Sequence, residues 1–288
     1  MSRSTQDYVG SYRLLNLLRI GKTCQVWEVI NDTVGQRYAI KLLLPEYRHN
    51  KEEVAYLRHE HEVGRKLQHP RVIQIYEFGL ERESIFLAME LYPTPNVKQL
   101  IQTQGVDKIA PVLDRFVEQA AEGLGYFHNQ GWVHRDVKPD NFLMSATGDV
   151  KLIDFALAVR LRRGLGRLFG GKTKKIQGTR SYMSPEQIRG QALDQRADIY
   201  SFGCMLHEMV TGKPPFTGVS TNDLLYKHLR SGPPPIQSAN RNVTDRFAEL
   251  VRRMLSKKPE ERPASLDEFL HELRATTIFK DPPAPIKR

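Results

Sequence analysis

"HRDVKPDNFLMSATGDVKLIDFALAV", residues 134–159, decides how the rest of the chain is to be read. Within it, Asp136, Lys138, Asn141 and Asp154 follow one another at short intervals. Asparagine and aspartate oxygens are hard ligands suited to Mg²⁺, and an aspartate can also accept a proton from a reacting hydroxyl. The stretch "FLMSATGDVKLI" reads as a small hairpin that returns Asp154 toward Asn141. Taken singly, an aspartate in a loop is more often a turn or cap residue.

The bulk properties set the frame. A length of 288 residues leaves room for two packed parts with ample core, and 40% hydrophobic with 26% charged residues is a globular balance. No apolar run approaches the roughly 20 residues of a spanning helix, and "MSRSTQDYVG" lacks the apolar centre of a signal peptide. Cys24 and Cys204 lie far apart and suggest no disulfide framework, so a reducing cytoplasm is the expected compartment. The net charge of +10 is concentrated: residues 155–185 contain no acid and eight lysines or arginines. Such a block can attract an acidic partner, an acidic peptide or phosphate. Nothing nearby resembles a nucleic-acid motif with interleaved aromatics, so nucleic acid is not the expected partner.

Along the chain, "YRLLNLLRI", "CQVWEVI" and "QRYAIKLLL" read as strands separated by turn-like "GKT" and "NDTVG". Residues 50–67 give the first helical pattern, and "VIQIYEF" and "SIFLAMEL" two more strands. After "YPTPN" helices dominate, at 97–103, 110–129, 196–211, 220–230, 244–256 and 265–274. Strands first and helices second predict an α+β, bilobal chain. A frayed end is expected over 1–11, one lobe over about 12–92, a second over about 96–275, and a tail or linker over 276–288.

Five motifs then occur in order: "YAIK" (38–41), "HRDVKPDN" (134–141), "DFA" (154–156), "GTRSYMSPE" (178–186) and "DIYSFG" (198–203). Together they resemble a eukaryotic-type Ser/Thr protein kinase over about residues 12–275, in the compact style of bacterial members. The resemblance implies ATP as phosphoryl donor, with Mg²⁺ (or Mn²⁺) on Asn141 and Asp154. It makes Asp136 the base and Lys138 a point charge on the transferring group. Lys41 is implied to pair with a glutamate of the next helix, and the register gives Glu60 rather than Glu62. Thr179 is expected near Asp136 and Lys138 and, with Lys138, implies serine or threonine acceptors. Ile20, Gly21, Val26, Ala39, Met89 and Leu143 are implied to surround the nucleotide, with backbone groups of Glu90 and Tyr92 on the adenine. Asp198 would tie down the catalytic loop, and Glu186 would pair with Arg262. Arg135, before the base, implies a switch by phosphorylation of the activation loop, with Thr173 as the candidate residue and the chain itself among its protein substrates. Oligomeric state is open, a transient dimer included.

Several positions depart from the pattern, among them Ser184, which replaces the alanine of the usual Ala-Pro-Glu. The glycine-rich loop, "RIGKTCQV", keeps only Gly21, with Arg19 and Cys24 in the outer glycine positions. Ala156 stands where the family has glycine, and costs about 1 kcal/mol if that position needs positive φ. Gly64 replaces an apolar residue on the helix that carries Glu60, which predicts a weaker Lys41–Glu60 pair. These departures keep a second reading open: a pseudokinase, a nucleotide-regulated binding module. A third, a small-molecule kinase, is disfavoured by "GTRSYMSPE".

Overall fold

The computed structural model describes residues 8–81, 84–161 and 177–284. It divides into two units, one running to Thr94 and including Asp154–Ala156, the other made of Pro95–Ile153 and the chain from Leu157 onward. The first is β-rich with one α-helix and the second mainly helical, the α+β architecture expected.

The first unit is an antiparallel sheet ordered β1-β2-β3-β4-β6-β5. Its strands are β1 (Tyr8–Val9), β2 (Tyr12–Ile20), β3 (Cys24–Asn31), β4 (Gln36–Leu43), β5 (Ile75–Glu81) and β6 (Ser84–Met89). Strand alternation sorts the side chains by face. Ile40 goes into a cluster with Val9, Tyr12, Val29, Phe86 and Ala88, while Ala39 and Lys41 take the opposite face. Lys41 stands opposite Val26 and Leu87, and Ala39 opposite Met89, so register alone sets Val26, Ala39, Lys41 and Met89 on one face. Helix α1 (Lys51–Gly64) starts at Asn50, whose side chain accepts from the Glu52 and Glu53 amides. Glu52 and Glu53 also suit the positive helix end.

Sequence reading placed residues 1–11 outside the domain, yet Tyr8 and Val9 pair with Arg13 and Tyr12. Gly10, at φ 58°, makes the tight turn, and Val9 is buried. A two-residue strand is too short to show alternation. At Gly64 the missing side chain leaves no void. A Cβ built there would collide with Ile75 Cδ1 and lie 2.8 Å from Cγ1.

The second unit contains α2 (Val97–Gln104), α3 (Val106–Ile109), α4 (Leu113–Asn129), α5 (Pro185–Ile188), α6 (Gln195–Thr211), α7 (Thr221–Arg230), α8 (Asp245–Met254) and α9 (Leu266–Arg274). Side chains of Asn96, Asp194, Ser220, Thr244 and Ser265 cap helix starts, the short polar residues that favour that position. Helix α6 is buried on nearly every side from Ala197 to Val210, as expected of a central helix without a polar face. Two small ribbons complete the unit: β7 (Trp132–Val133) with β10 (Val159–Arg160), and β8 (Phe142–Met144) with β9 (Val150–Leu152). Arg160, read from sequence as part of the basic block, lies over the Trp132 ring at 4.2 Å. Among the described residues no helix is long and apolar enough to cross a membrane.

The start of the expected tail also packs. Thr244 N donates to Ile278 O at 3.0 Å, Lys280 N to Asn242 O at 2.7 Å, and Ile278 is fully buried. Two apolar residues after a helix end carry no periodicity, which hid this bridge.

Two measurements check the packing. Gly64→Ala gains about 1 kcal/mol of helix propensity but overpacks Ile75, at a cost of about 1–3 kcal/mol. Urea unfolding should therefore show net destabilisation that shrinks or reverses in an Ile75→Val background. His228, fully buried on α7, lies 3.0 Å through Nδ1 from the Tyr200 hydroxyl. Burial, with Lys257 nearby, lowers its pKa to about 4. The folded state then binds fewer protons than the unfolded one below the ordinary value near 6.5. Stability should fall as pH drops from about 6.5 to about 4, by up to ~3 kcal/mol. His228→Phe should flatten that part of a urea-midpoint profile.

Candidate active site

The second unit holds a dense polar centre around Asp136. One carboxylate oxygen accepts from the Thr179 amide and the Thr179 hydroxyl, both at 2.8 Å. The other accepts from Lys138 Nζ at 2.6 Å and Asn141 Nδ2 at 3.3 Å. Lys138 Nζ also donates to Thr179 Oγ1 at 2.7 Å, so aspartate, lysine and threonine close a triangle. Asn141 Nδ2 donates to the Asp136 carbonyl at 2.8 Å. With the amide nitrogen turned that way, the Asn141 carboxamide presents oxygen, a hard ligand, on its other side. The β8–β9 hairpin brings Ile153 back, its N–H donating to Asn141 O at 3.0 Å.

Asp198, in the first turn of α6, holds this loop from beneath. It accepts from the backbone amides of His134 (2.7 Å) and Arg135 (2.8 Å), and His128 Nε2 lies 2.8 Å away. Arg135 sits at φ 69°, a left-handed conformation rare for a side chain of its kind. Its carbonyl accepts from Gln187 Nε2 at 2.9 Å, and Gly178 approaches so closely that a Cβ there would lie 2.9 Å from that carbonyl.

Gln187 and Gly178 went unread as site residues. The signal for Gln187 was Ser184 three positions earlier. The two form a capping box at the start of α5, so the serine in place of the family's alanine has a structural role. Glu186 and Arg262 form a buried bidentate pair at 2.6 and 2.9 Å. The rest of the guanidinium donates to the carbonyls of Ser256, Arg196 and Lys257. Every N–H of that cation is thus satisfied, as burial of the charge requires.

In the first unit, Lys41 Nζ lies 2.7 Å from Glu60 and 3.3 Å from Asp154. Burial works against its charge, but Asp154 and Glu60 outweigh it and hold the ammonium pKa well above the ordinary lysine value. The pairing is formed despite Gly64, because Ile75 fills that space. Glu62 instead lines a separate cavity with Lys51 and Arg58.

Asp154 carries the strained conformation at this point, φ 69°, whereas Ala156 has no positive φ. The expected alanine penalty therefore does not arise. Aspartate tolerates the left-handed region better than most residues.

At the loop before β3, Gly21 N donates to Cys24 O at 2.8 Å, closing a tight turn, and Ile20 is exposed. Burial raises the Cys24 thiol pKa, with Lys41 pulling the other way. Of the backbone groups expected to meet adenine, the Glu90 N–H is engaged by Gln74 O at 2.8 Å, and the Tyr92 carbonyl accepts from Thr94. Leu143 lies on β8 and bridges to Asn96 in the second unit. Thr173 and most of the basic block lie outside the described residues.

The chain matches known proteins over nearly its whole length. Residues 12–274 match the family described as protein kinase domain. The chain is 31% identical over 281 residues, 96% of its length, to the serine/threonine-protein kinase PknA of Mycobacterium tuberculosis, of which it spans 63%. It is 30% identical to PknB of Mycobacterium leprae, with 95% of this chain and 44% of that protein covered. A probable serine/threonine-protein kinase of Clostridium acetobutylicum is 29% identical, with 91% and 39% covered. The chain thus spans less than two thirds of the length of each of these relatives. The ordered motifs, the Asp136–Lys138–Thr179 triangle and the match over nearly the whole chain lead to one conclusion: this chain belongs to the protein kinase domain family.

Proposed function

We propose that the chain transfers the γ-phosphoryl group of ATP to serine or threonine hydroxyls of proteins, its own activation segment among them. The observation that carries this reading is the triangle of Asp136, Lys138 and Thr179, which leaves a carboxylate and an ammonium within one hydrogen-bond length of each other and of a threonine hydroxyl.

In this mechanism Asp136 orients the acceptor hydroxyl and takes its proton. The acceptor oxygen forms the new bond to the γ-phosphorus as the bond to the β-phosphate oxygen breaks, and ADP leaves. Lys138 places positive charge on the group in flight. Lys41, held straight by Glu60, would grip the other phosphates as a fixed cation. Asn141 and Asp154 supply the hard oxygens for Mg²⁺ or Mn²⁺, which neutralises phosphate charge when bound. Val26, Ala39 and Leu143 would enclose the adenine, with Ile20 and Gly21 at the mouth and Met89 behind. Since the Glu90 N–H is engaged, Glu90 would offer its carbonyl to the base, and Tyr92 its amide. Arg135, whose Nη2 lies 3.3 Å from Gln177 Oε1, would meet a phosphate on Thr173 and order the segment between them. An acidic peptide at the basic block would serve the same neutralising role.

The reading is tested with labelled ATP, Mg²⁺, the chain itself and a generic protein acceptor. Asp136→Asn should lower transfer by at least about 10²-fold, and Lys41→Met should abolish it, with label on Thr173 in the unmodified chain. Full transfer by Asp136→Asn would defeat the proposal. Ala156→Gly should leave transfer within about threefold and stability within ~1 kcal/mol, because position 156 does not need a glycine conformation. A large gain in activity would mean that alanine does impede the switch.

A further inference from the structure

Near its C-terminal end α6 carries His207, which is only 4% exposed. Its Nδ1 lies 3.0 Å from the Lys213 carbonyl. A carbonyl can only accept, so Nδ1 carries the proton. Thr211 Oγ1, 3.2 Å from the same nitrogen, directs its own proton to the His207 and Lys213 carbonyls. Burial lowers the His207 pKa, against the pull of the Lys213 and Pro234 carbonyls and the Glu208 carboxylate, so the ring is neutral near pH 7. The other nitrogen, Nε2, then holds a bare lone pair, and it has no hydrogen-bond partner among the described residues. Pro234, a backbone neighbour of the ring, has no N–H and offers only a carbonyl, an acceptor facing an acceptor. A buried acceptor without a donor is costly to keep.

The same histidine lines a cavity of about 180 Å³, walled by Pro233, Pro234, Pro235, Ile236, Val251 and Leu255. An apolar cavity of about 150 Å³ accepts benzene, so this volume suits one six-membered aromatic ring with a substituent. Three consecutive proline rings present apolar faces of the kind that pack on aromatic groups. The charged lining residues Asp245 and Glu249 are exposed. Glu249 is paired with Arg252 at 2.6 and 2.5 Å, and Asp245 accepts from Gln237 Nε2 at 3.1 Å. An anion would meet two carboxylates on entry and a lone pair inside. A cation would lose its water to face a neutral imidazole, which does not offset that loss. The group that His207 lacks is a neutral donor.

We propose that this cavity is a binding site for a hydroxyaromatic group, a phenol ring that packs on the prolines and donates its O–H to His207 Nε2. The phenol belongs either to a free small molecule or to a tyrosine side chain of another protein, since recognition uses the same chemistry in both. His207 follows Asp198 on the same helix, farther along by about 14 Å at ~1.5 Å per residue. A ring held there leaves the Asp136 centre open, so binding does not compete with phosphoryl transfer for space.

The test is titration calorimetry and imidazole nitrogen-15 spectroscopy on the full chain with p-cresol and with toluene, which differ only by the hydroxyl. p-Cresol should bind with a Kd of about 1 mM or tighter. It should bind at least about tenfold better than toluene and move the His207 Nε2 resonance, because only the phenol supplies the missing donor. His207→Phe should lower p-cresol affinity at least about tenfold, to the toluene level. Ala248→Leu, which fills the cavity from α8, should abolish p-cresol binding. Equal affinity for p-cresol and toluene, binding of neither, or p-cresol binding that survives Ala248→Leu would overturn the proposal. The comparison of the two ligands on the unmodified chain holds even if His207→Phe folds poorly. N-acetyltyrosine amide separates the two sources: binding like that of p-cresol assigns the site to a partner's tyrosine, and binding of p-cresol alone to a free phenol.

Discussion

The second unit is organised around one buried carboxylate. Asp198 accepts from two consecutive backbone amides, His134 and Arg135, and pairs with His128. An acid with 1% exposure is stable only with such partners. Its place is set by α6, which is packed on nearly every side and cannot shift without disturbing the core around it. The loop bearing Asp136 is therefore shaped by a helix that begins some sixty residues later. Arg135 stays in a left-handed conformation costing about 1–2 kcal/mol because its amide and its carbonyl are both held. Gln187 grips the carbonyl, and Gly178 comes in close where a side chain would collide.

The first unit solves a different problem, that of keeping a lysine charged while buried. β-sheet register brings Lys41 to the face shared with Val26 and Met89. Helix α1 brings Glu60, and the chain returns at Asp154 with a second carboxylate. Two acids against one ammonium leave the local charge negative. Such an arrangement becomes more stable when a cation joins it, which accords with the oxygen donors at Asp154.

Much of this was legible in the sequence because it depends on residue type and spacing. The helix starts follow short polar caps, and the turn-like "GKT" and "NDTVG" separate β2, β3 and β4. Helix geometry lets only one of Glu60 and Glu62 face the lysine, since the two point about 200° apart, and the register of the family resemblance chose Glu60. What escaped reading depends on contacts between distant backbone groups. The Val9 and Phe279 pairings involve one or two residues each, too few for a pattern. The role of Gln187 lies in a carbonyl 52 residues away. Ala156 and Gly64 looked like defects when judged against a family pattern. The backbone moves the unusual φ to Asp154, and Ile75 fills the space over Gly64. A missing letter is compensated by geometry that no local window reveals.

The clamp on the loop bearing Asp136 has a consequence in time. His134 and Asp198 are separated by 64 residues, so on a ribosome adding about 5–20 residues per second the loop is made roughly 3 to 13 s before its anchor exists. Over that interval the Arg135 amide lacks its acceptor, and the Asp136 centre lacks both its floor and, for much of the wait, Thr179. The arrangement around Asp136 is thus withheld from the nascent chain until α6 has been synthesised and packed, and a polypeptide interrupted before Asp198 carries the loop's letters without its shape.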